Sequence, residues 1–329
     1  MRKWTKRFLL LAVIFCLAGG ILLTIGFVSG GPEFVTSTNL NTMQPFKKEE
    51  RNNLRQKEVN LEAFTRLHID LEDRDLTIRP SDDASAHLTY TCNPEATADT
   101  VTCTTKENTL YLSDHASGTS GAFFHIDYSF LTELFGNGRK EILNKDTVTL
   151  YLPAQQLLED TAICLGDGDL RLNGLQTKKL HTELTYGDLH LSKSSAEHCT
   201  ITLGDGDGLI EELSSKNARF TFTYGDLTLK DSSLENITAS LSDGDVTAEN
   251  TRFSGKGNFQ LSYGDACFLL TDEQKDSLSL DLSTALGSLS APDAGQQYTD
   301  TDSSRYTRTG LQPGQKLTIH CSDGDISLQ

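Results

Sequence analysis

The sequence is short of basic charge, of proline and of the motifs that announce catalysis. Its 329 residues hold 29 Lys and Arg against 46 Asp and Glu, a formal net charge of −17, and only seven prolines. Residues 1–58 carry nine basic and four acidic side chains, so the rest of the chain is more acidic than the total suggests. An acidic body repels phosphates, which argues against nucleic acid as a partner. It equally disfavours attachment to an anionic membrane through a basic face. No Cys-x-x-Cys pair occurs, so no zinc or thioredoxin-type site is indicated. His-Glu-x-x-His and Gly-x-Ser-x-Gly are absent too, and metalloprotease or hydrolase chemistry has no starting point. The eight histidines are scattered; His181, His190 and His320 fall on polar-facing positions and read as surface side chains. The expectation is a non-enzymatic chain without a cofactor.

What is present begins with one long apolar run. Phe8 to Val28 is unbroken by any charge and is preceded by Arg2, Lys3, Lys6 and Arg7. At about 1.5 Å per residue it just crosses a hydrocarbon core of about 30 Å. The flanking positive charge keeps residues 1–7 cytoplasmic and sends everything after residue 28 outside. An uncleaved anchor is the preferred reading. A cleaved signal peptide is the alternative, with Val28-Ser29-Gly30 as a weak cleavage site. Residues 29–59 read as a solvated linker with mixed charge.

From about Thr161 a pattern recurs. Its Gly-Asp pairs are Gly168-Asp169, Gly187-Asp188, Gly206-Asp207, Gly225-Asp226, Gly244-Asp245 and Gly264-Asp265. They recur at a nearly constant interval of about 19 residues, the mark of a solenoid. A weaker copy has Ser288 after Gly287, and a clean last copy is Gly324-Asp325. Apolar residues alternate with polar ones on both sides of each pair, as in Ile163, Leu165, Leu170 and Leu172. Period-two alternation around a glycine break means two short strands meeting at a corner. One such unit cannot bury its apolar face alone, whereas stacked units can, about 4.8 Å apart. The expected fold is therefore all-β, a parallel β-solenoid of either hand over residues 60–329, with regular repeats over 161–329. Glycine at the corner supplies backbone freedom, and the aspartate is expected to bond a nearby N–H in an Asx-type turn.

The residue before the glycine alternates: Asp167, Tyr186, Asp205, Tyr224, Asp243, Tyr263. A coil made of one repeat would interleave them in one column, where tyrosine hydroxyls could donate to carboxylates. A coil made of two repeats would separate them into two stacks. The shorter coil is preferred, because two strands and two turns fill it.

The aspartates after the glycines would form a carboxylate ladder if stacked. Calcium is the one ligand such a ladder suggests. Simple tolerance is preferred: charges about 4.8 Å apart in water repel by only about 0.9 kcal/mol, and the nine-residue repetition of calcium rolls is missing. Of the cysteines, Cys92 and Cys103 sit on what reads as one hairpin, from His87 to Cys92 and Val101 to Thr105, and could bridge outside the cell. Cys164, Cys199, Cys267 and Cys321 fall in different columns and are not expected to pair. Residues 60–160 read as an irregular first part of the domain. It holds an aromatic insertion, 113–146, that is either a lid over the open end or a contact surface. A polar loop, 291–314, is placed to shield the other edge.

The strand LHIDLEDRDLTI, the entry TVTLYLPAQQLLEDTAICLGDGDLRL, the YGDL and DGD corners and the closing LTIHCSDGDISL resemble the bacterial "putative adhesin" family of β-strand-repeat proteins, over about residues 60–329. The resemblance implies a β-solenoid at the bacterial envelope, often behind one membrane span, and carries over no functional residue. The resulting expectation is a single-pass membrane protein whose extracytoplasmic domain binds a surface protein, a wall polymer or a neighbouring cell. An accessory of envelope sensing, acting through a membrane partner, is the second reading. An enzyme on wall polysaccharide is the third and least supported.

Overall fold

Alternation of apolar and polar residues dictates the elements. In the strand Gln176–Tyr186, Leu180, Thr182 and Leu184 are buried while His181 and Glu183 face water. The short strand Leu189–Ser192 buries Leu189 and Leu191 in the same way. Each fully buried leucine contributes about 1.5–3 kcal/mol. The structure is a computed structural model that describes residues 55–83, 85–92, 101–114, 147–292, 295–300 and 303–329. It also describes the backbone of a separate antiparallel pair, Thr38–Asn39 with Gln44–Pro45. The expected membrane span, residues 8–28, and the aromatic insertion beyond Asp114 lie outside the described residues. Within them no helix is long and apolar enough to cross a membrane.

Two sheets of 15 and 12 strands face each other across one continuous core. A regular coil has an eleven-residue strand in the larger sheet, a glycine corner, a four-residue strand in the smaller sheet and a second corner. Register advances by one repeat per coil, so Leu184 pairs with Leu203 and Leu191 with Ile210, all in parallel. Tyr186 stands beside both Asp167 and Asp205. The coil is thus the shorter of the two considered. Neighbouring columns match volumes: Ala239 lies between Phe220 and Phe259, and Ala248 between Leu229 and Phe268. Phe259 and Phe268 meet edge-on, with ring centroids 4.8 Å apart. Gly208, where its neighbours have leucine, leaves room for Phe222; a Cβ there would lie 2.5 Å from that ring.

The second corner uses left-handed backbone. Gly174 is followed one repeat later by Lys193, then Glu212, Asp231 and Asn250, the last four with φ of 48–51°. Inside the long strands, pairing skips Lys178, Glu197, Lys216 and Glu235, and the buried side switches there. Their charges alternate from coil to coil, and Lys216 reaches Glu197 at 3.3 Å.

The ends depart from the repeat. His87–Cys92 pairs antiparallel with Arg55–Asn60 and Thr147–Leu152 in the smaller sheet. Thr102–Lys106 instead forms a hairpin with Thr109–Ser113 in the larger one, turning at Glu107 and Asn108 with φ of 49° and 60°. The expected hairpin of Cys92 with Cys103 therefore does not form, and both thiols are free. Pairing of Arg55–Asn60 also starts the sheet inside the segment expected to be linker. At the far end, the expected polar loop holds a second hairpin, Gln296–Thr299 with Ser304–Arg308, which extends the larger sheet. A six-residue helix, Asp272–Ser277, replaces one second corner.

Coil order is not chain order at either end. The amino-terminal coil, Arg66–Asp73 with Asp75–Pro80, lies between the coil of Thr109–Ser113 and Thr147–Leu152 and the coil beginning at Asp160. The carboxy-terminal coil, Lys316–Asp323 with Ile326–Leu328, lies between the coil starting at Lys256 and that of Ser279–Leu286.

Candidate functional site

All the Gly-Asp pairs singled out in the sequence converge on one edge, where the larger sheet turns into the smaller. The turn dictates the glycine. Gly225 has φ of 122°, and a Cβ on it would lie 2.0 Å from the carbonyl oxygen of Gly206 in the coil before. Both the dihedral and the close approach exclude a side chain. The same column reads Gly168, Gly187, Gly206, Gly244, Gly264, Gly287 and Gly324, all at positive φ.

The aspartate that follows does not close a local turn. Its Oδ1 accepts the backbone N–H of the equivalent residue one coil along the stack. Asp75 accepts from Asp169 (3.0 Å), Asp169 from Asp188 (3.1 Å), Asp188 from Asp207 and Asp207 from Asp226 (both 2.9 Å). Asp226 accepts from Asp245 (2.8 Å), Asp245 from Asp265 and Asp265 from Asp325 (both 2.7 Å), and Asp325 from Ser288 (2.6 Å). Bonds from N–H to a carboxylate are charge-assisted and stronger than neutral ones. The ladder ties coil to coil with one polarity. Ser288 ends it because the coil of Ser279–Leu286 is the outermost one, with no further N–H to receive. Among the described residues, no group of three or more His, Cys, Asp and Glu side chains could hold a metal ion.

At the irregular corner Asp73-Arg74-Asp75, arginine takes the glycine's place. Its guanidinium is buried and paired at 3.4 Å with the equally buried Asp114. The Asp114 carboxylate also accepts the N–H of Glu72 at 2.8 Å.

The column before the glycine forms a second row on the same edge. In stack order it reads Asp73, Asp167, Tyr186, Asp205, Tyr224, Asp243, Tyr263, Asp323, Leu286. Tyr186, Tyr224, Tyr263 and Leu286 are 56, 56, 61 and 55% exposed. The expected hydrogen bonds from these tyrosines to Asp205 and Asp243 are not made. The row faces solvent, with a ring or apolar group on every second coil.

The remaining candidates are structural. Burial pushes the thiols of Cys199 and Cys321 up to about 12, with Asp265 and Asp325 adding to the effect at Cys321. His181 and His190 bond Glu183 and Glu211 at 3.1 Å each, and His320 bonds Ser283 at 3.0 Å. A cavity of about 570 Å³ beside the helix Asp272–Ser277 is lined by Asn250, Arg252, Glu273 and Asp276 among others. Its buried amide, Gln274, bridges the N–H of Phe253 and the carbonyl of Thr251. The alternating Lys178, Glu197, Lys216, Glu235 column was legible in the sequence at the same spacing as the glycines, yet stays hidden until register shows that these residues share a bend.

Several solved structures resemble the chain. A "putative adhesin" from Bacteroides fragilis NCTC 9343 is 12% identical, with 85% of this chain and 99% of that one covered and a TM-score of 0.44. A "putative adhesin" from Parabacteroides distasonis ATCC 8503 is 11% identical, with 84% and 97% covered and a TM-score of 0.46. A "putative lipid binding protein" from the same organism is 9% identical, with 84% and 98% covered and a TM-score of 0.35. No curated protein matches. The family model described as Toastrack DUF4097 matches residues 64–329, and the chain belongs to that family.

Proposed function

We propose that the chain is a non-enzymatic binding protein of a bacterial cell envelope. In this reading residues 8–28 anchor it in the membrane, residues 1–7 stay in the cytoplasm, and the stacked domain stands outside. The observation that carries the reading is the exposed Asp/Tyr row, which runs along one edge of a stack braced by its own backbone and carboxylate ladder. A regular edge on a rigid support presents many equivalent contacts at fixed spacing, which suits an extended or repetitive partner. The corner acids have an evident structural use, since the Oδ1 of each holds the N–H of the next coil. The test is retention of the purified full-length chain on bacterial cells and on isolated wall fractions. Specific, saturable retention without release of cleaved product is expected. Release of cleaved glycan that disappears with Asp207→Asn would overturn the non-enzymatic reading, and no retention on any fraction would overturn binding.

A further inference from the structure

The tyrosine row has a period that selects a ligand. Tyr186, Tyr224 and Tyr263 stand on every second coil, with Asp205 and Asp243 between them. Strands about 4.8 Å apart put successive rings about 9.6 Å apart. That interval is close to the length of one disaccharide in a β-1,4-linked glycan. In such a chain each sugar is flipped relative to the next, so the same face returns every second unit. The face of a pyranose with axial C–H groups is apolar and stacks on aromatic rings, while its edge hydroxyls need acceptors. The row supplies both in the right order: ring, carboxylate, ring, carboxylate. All three rings are more than half exposed. Acid on the same edge repels anionic polymers, so charge complementarity admits an uncharged chain and rejects a charged one.

We infer that the edge bearing Tyr186, Tyr224 and Tyr263 binds an uncharged, linear β-1,4-linked glycan laid along the stack, one disaccharide per pair of coils. The inference rests on the binding role proposed above and names its ligand class. Each tyrosine stacks one sugar, and Asp205 and Asp243 accept hydroxyls from the sugars between. The strength comes from repetition, so affinity rises with glycan length until three rings are spanned.

The test uses the full-length chain in a non-glycosidic detergent, with cellohexaose and chitohexaose as probes in calorimetric titration. Binding of at least one hexaose is expected, with cellobiose and the α-linked maltohexaose much weaker. Tyr224→Ala is expected to weaken the hexaose about tenfold, while Tyr224→Phe, which keeps the ring, retains most of the affinity. Tyr298→Ala, at an exposed tyrosine outside the row, leaves binding unchanged. An unaltered melting temperature for each variant separates lost contact from lost fold. Equal binding of maltohexaose, no effect of Tyr224→Ala, or failure of both hexaoses to bind would overturn the inference. If the hexaoses fail while the chain is still retained on cells or wall fractions, only the ligand class falls. If retention fails as well, the binding role falls with it.

Discussion

At the scale of single residues, the stack tolerates few exceptions. Thr182 is one of them. It stands in a column between Ile163 and Ile201, is fully buried, and its hydroxyl has no hydrogen-bond partner. An unsatisfied buried hydroxyl costs about 1–3 kcal/mol. Thr182→Val keeps the branched shape and removes the orphan group, so it should stabilise the domain by about 1 kcal/mol. Denaturant unfolding checks this, and a destabilised valine variant would contradict it. The glycine column was readable from sequence because the corner admits almost nothing else: the dihedral of Gly225 and the carbonyl of Gly206 each demand it. The aspartate beside it was readable as a residue but not as a bond. Its acceptor role runs to the matching position of the next repeat, and only register reveals that neighbour. The hairpin expected to carry Cys92 and Cys103 failed for a related reason. Alternation marks a strand but not the sheet it joins, and the turn that is made, at Glu107-Asn108, lacks the glycine that advertises a hairpin.

At the scale of elements, polar side chains clip strands that the core alone would leave loosely ordered. Removing one rung of the ladder isolates its contribution. Asp207→Ala deprives the Asp226 N–H of its acceptor and should cost about 1–2 kcal/mol. Asp207→Asn keeps an acceptor oxygen and should recover most of that loss; equal loss in both variants would mean that charge rather than the hydrogen bond matters. Asp281 acts similarly at the carboxy-terminal end. From the strand Ser279–Leu286 it takes Lys316 at 2.9 Å and Arg305 at 3.1 Å, one from each flanking strand. Burial alone would raise its pKa, but the hydrogen bonds and charges of Lys316 and Arg305 outweigh burial and hold it below the ordinary value. A carboxyl depressed in the folded state stabilises at pH above its unfolded value, about 4. That stabilisation is lost as pH falls through the lower folded value. The gap in melting temperature between the native chain and Asp281→Asn should thus be full at pH 6 and shrink below about pH 4. A gap independent of pH would remove the ion-pair explanation.

At the scale of the whole molecule, the stack behaves as a one-dimensional array in which each coil is held by its neighbours. Its middle was legible from spacing alone. Its ends were not, because columns give register without giving neighbour order. The replacement of aspartate by Ser288 was a visible sign of an end, since an outermost coil has no onward N–H to accept. Deleting residues 316–329 should detach the coil of Ser279–Leu286 from the array while sparing strands such as Gln176–Tyr186. Hydrogen exchange would show fast amides in 279–290 and 304–308 and unchanged protection over 176–241. Uniform loss of protection would mean that the array unfolds as one unit. The tucked position of both terminal coils also bears on synthesis. The coil of Lys316–Asp323 must enter a slot whose two walls, begun by Lys256 and Ser279, precede it in the chain and so emerge first. The array can grow outward from its centre during translation, but its far wall can close around the coil of residues 316–328 only once that stretch has emerged in its turn.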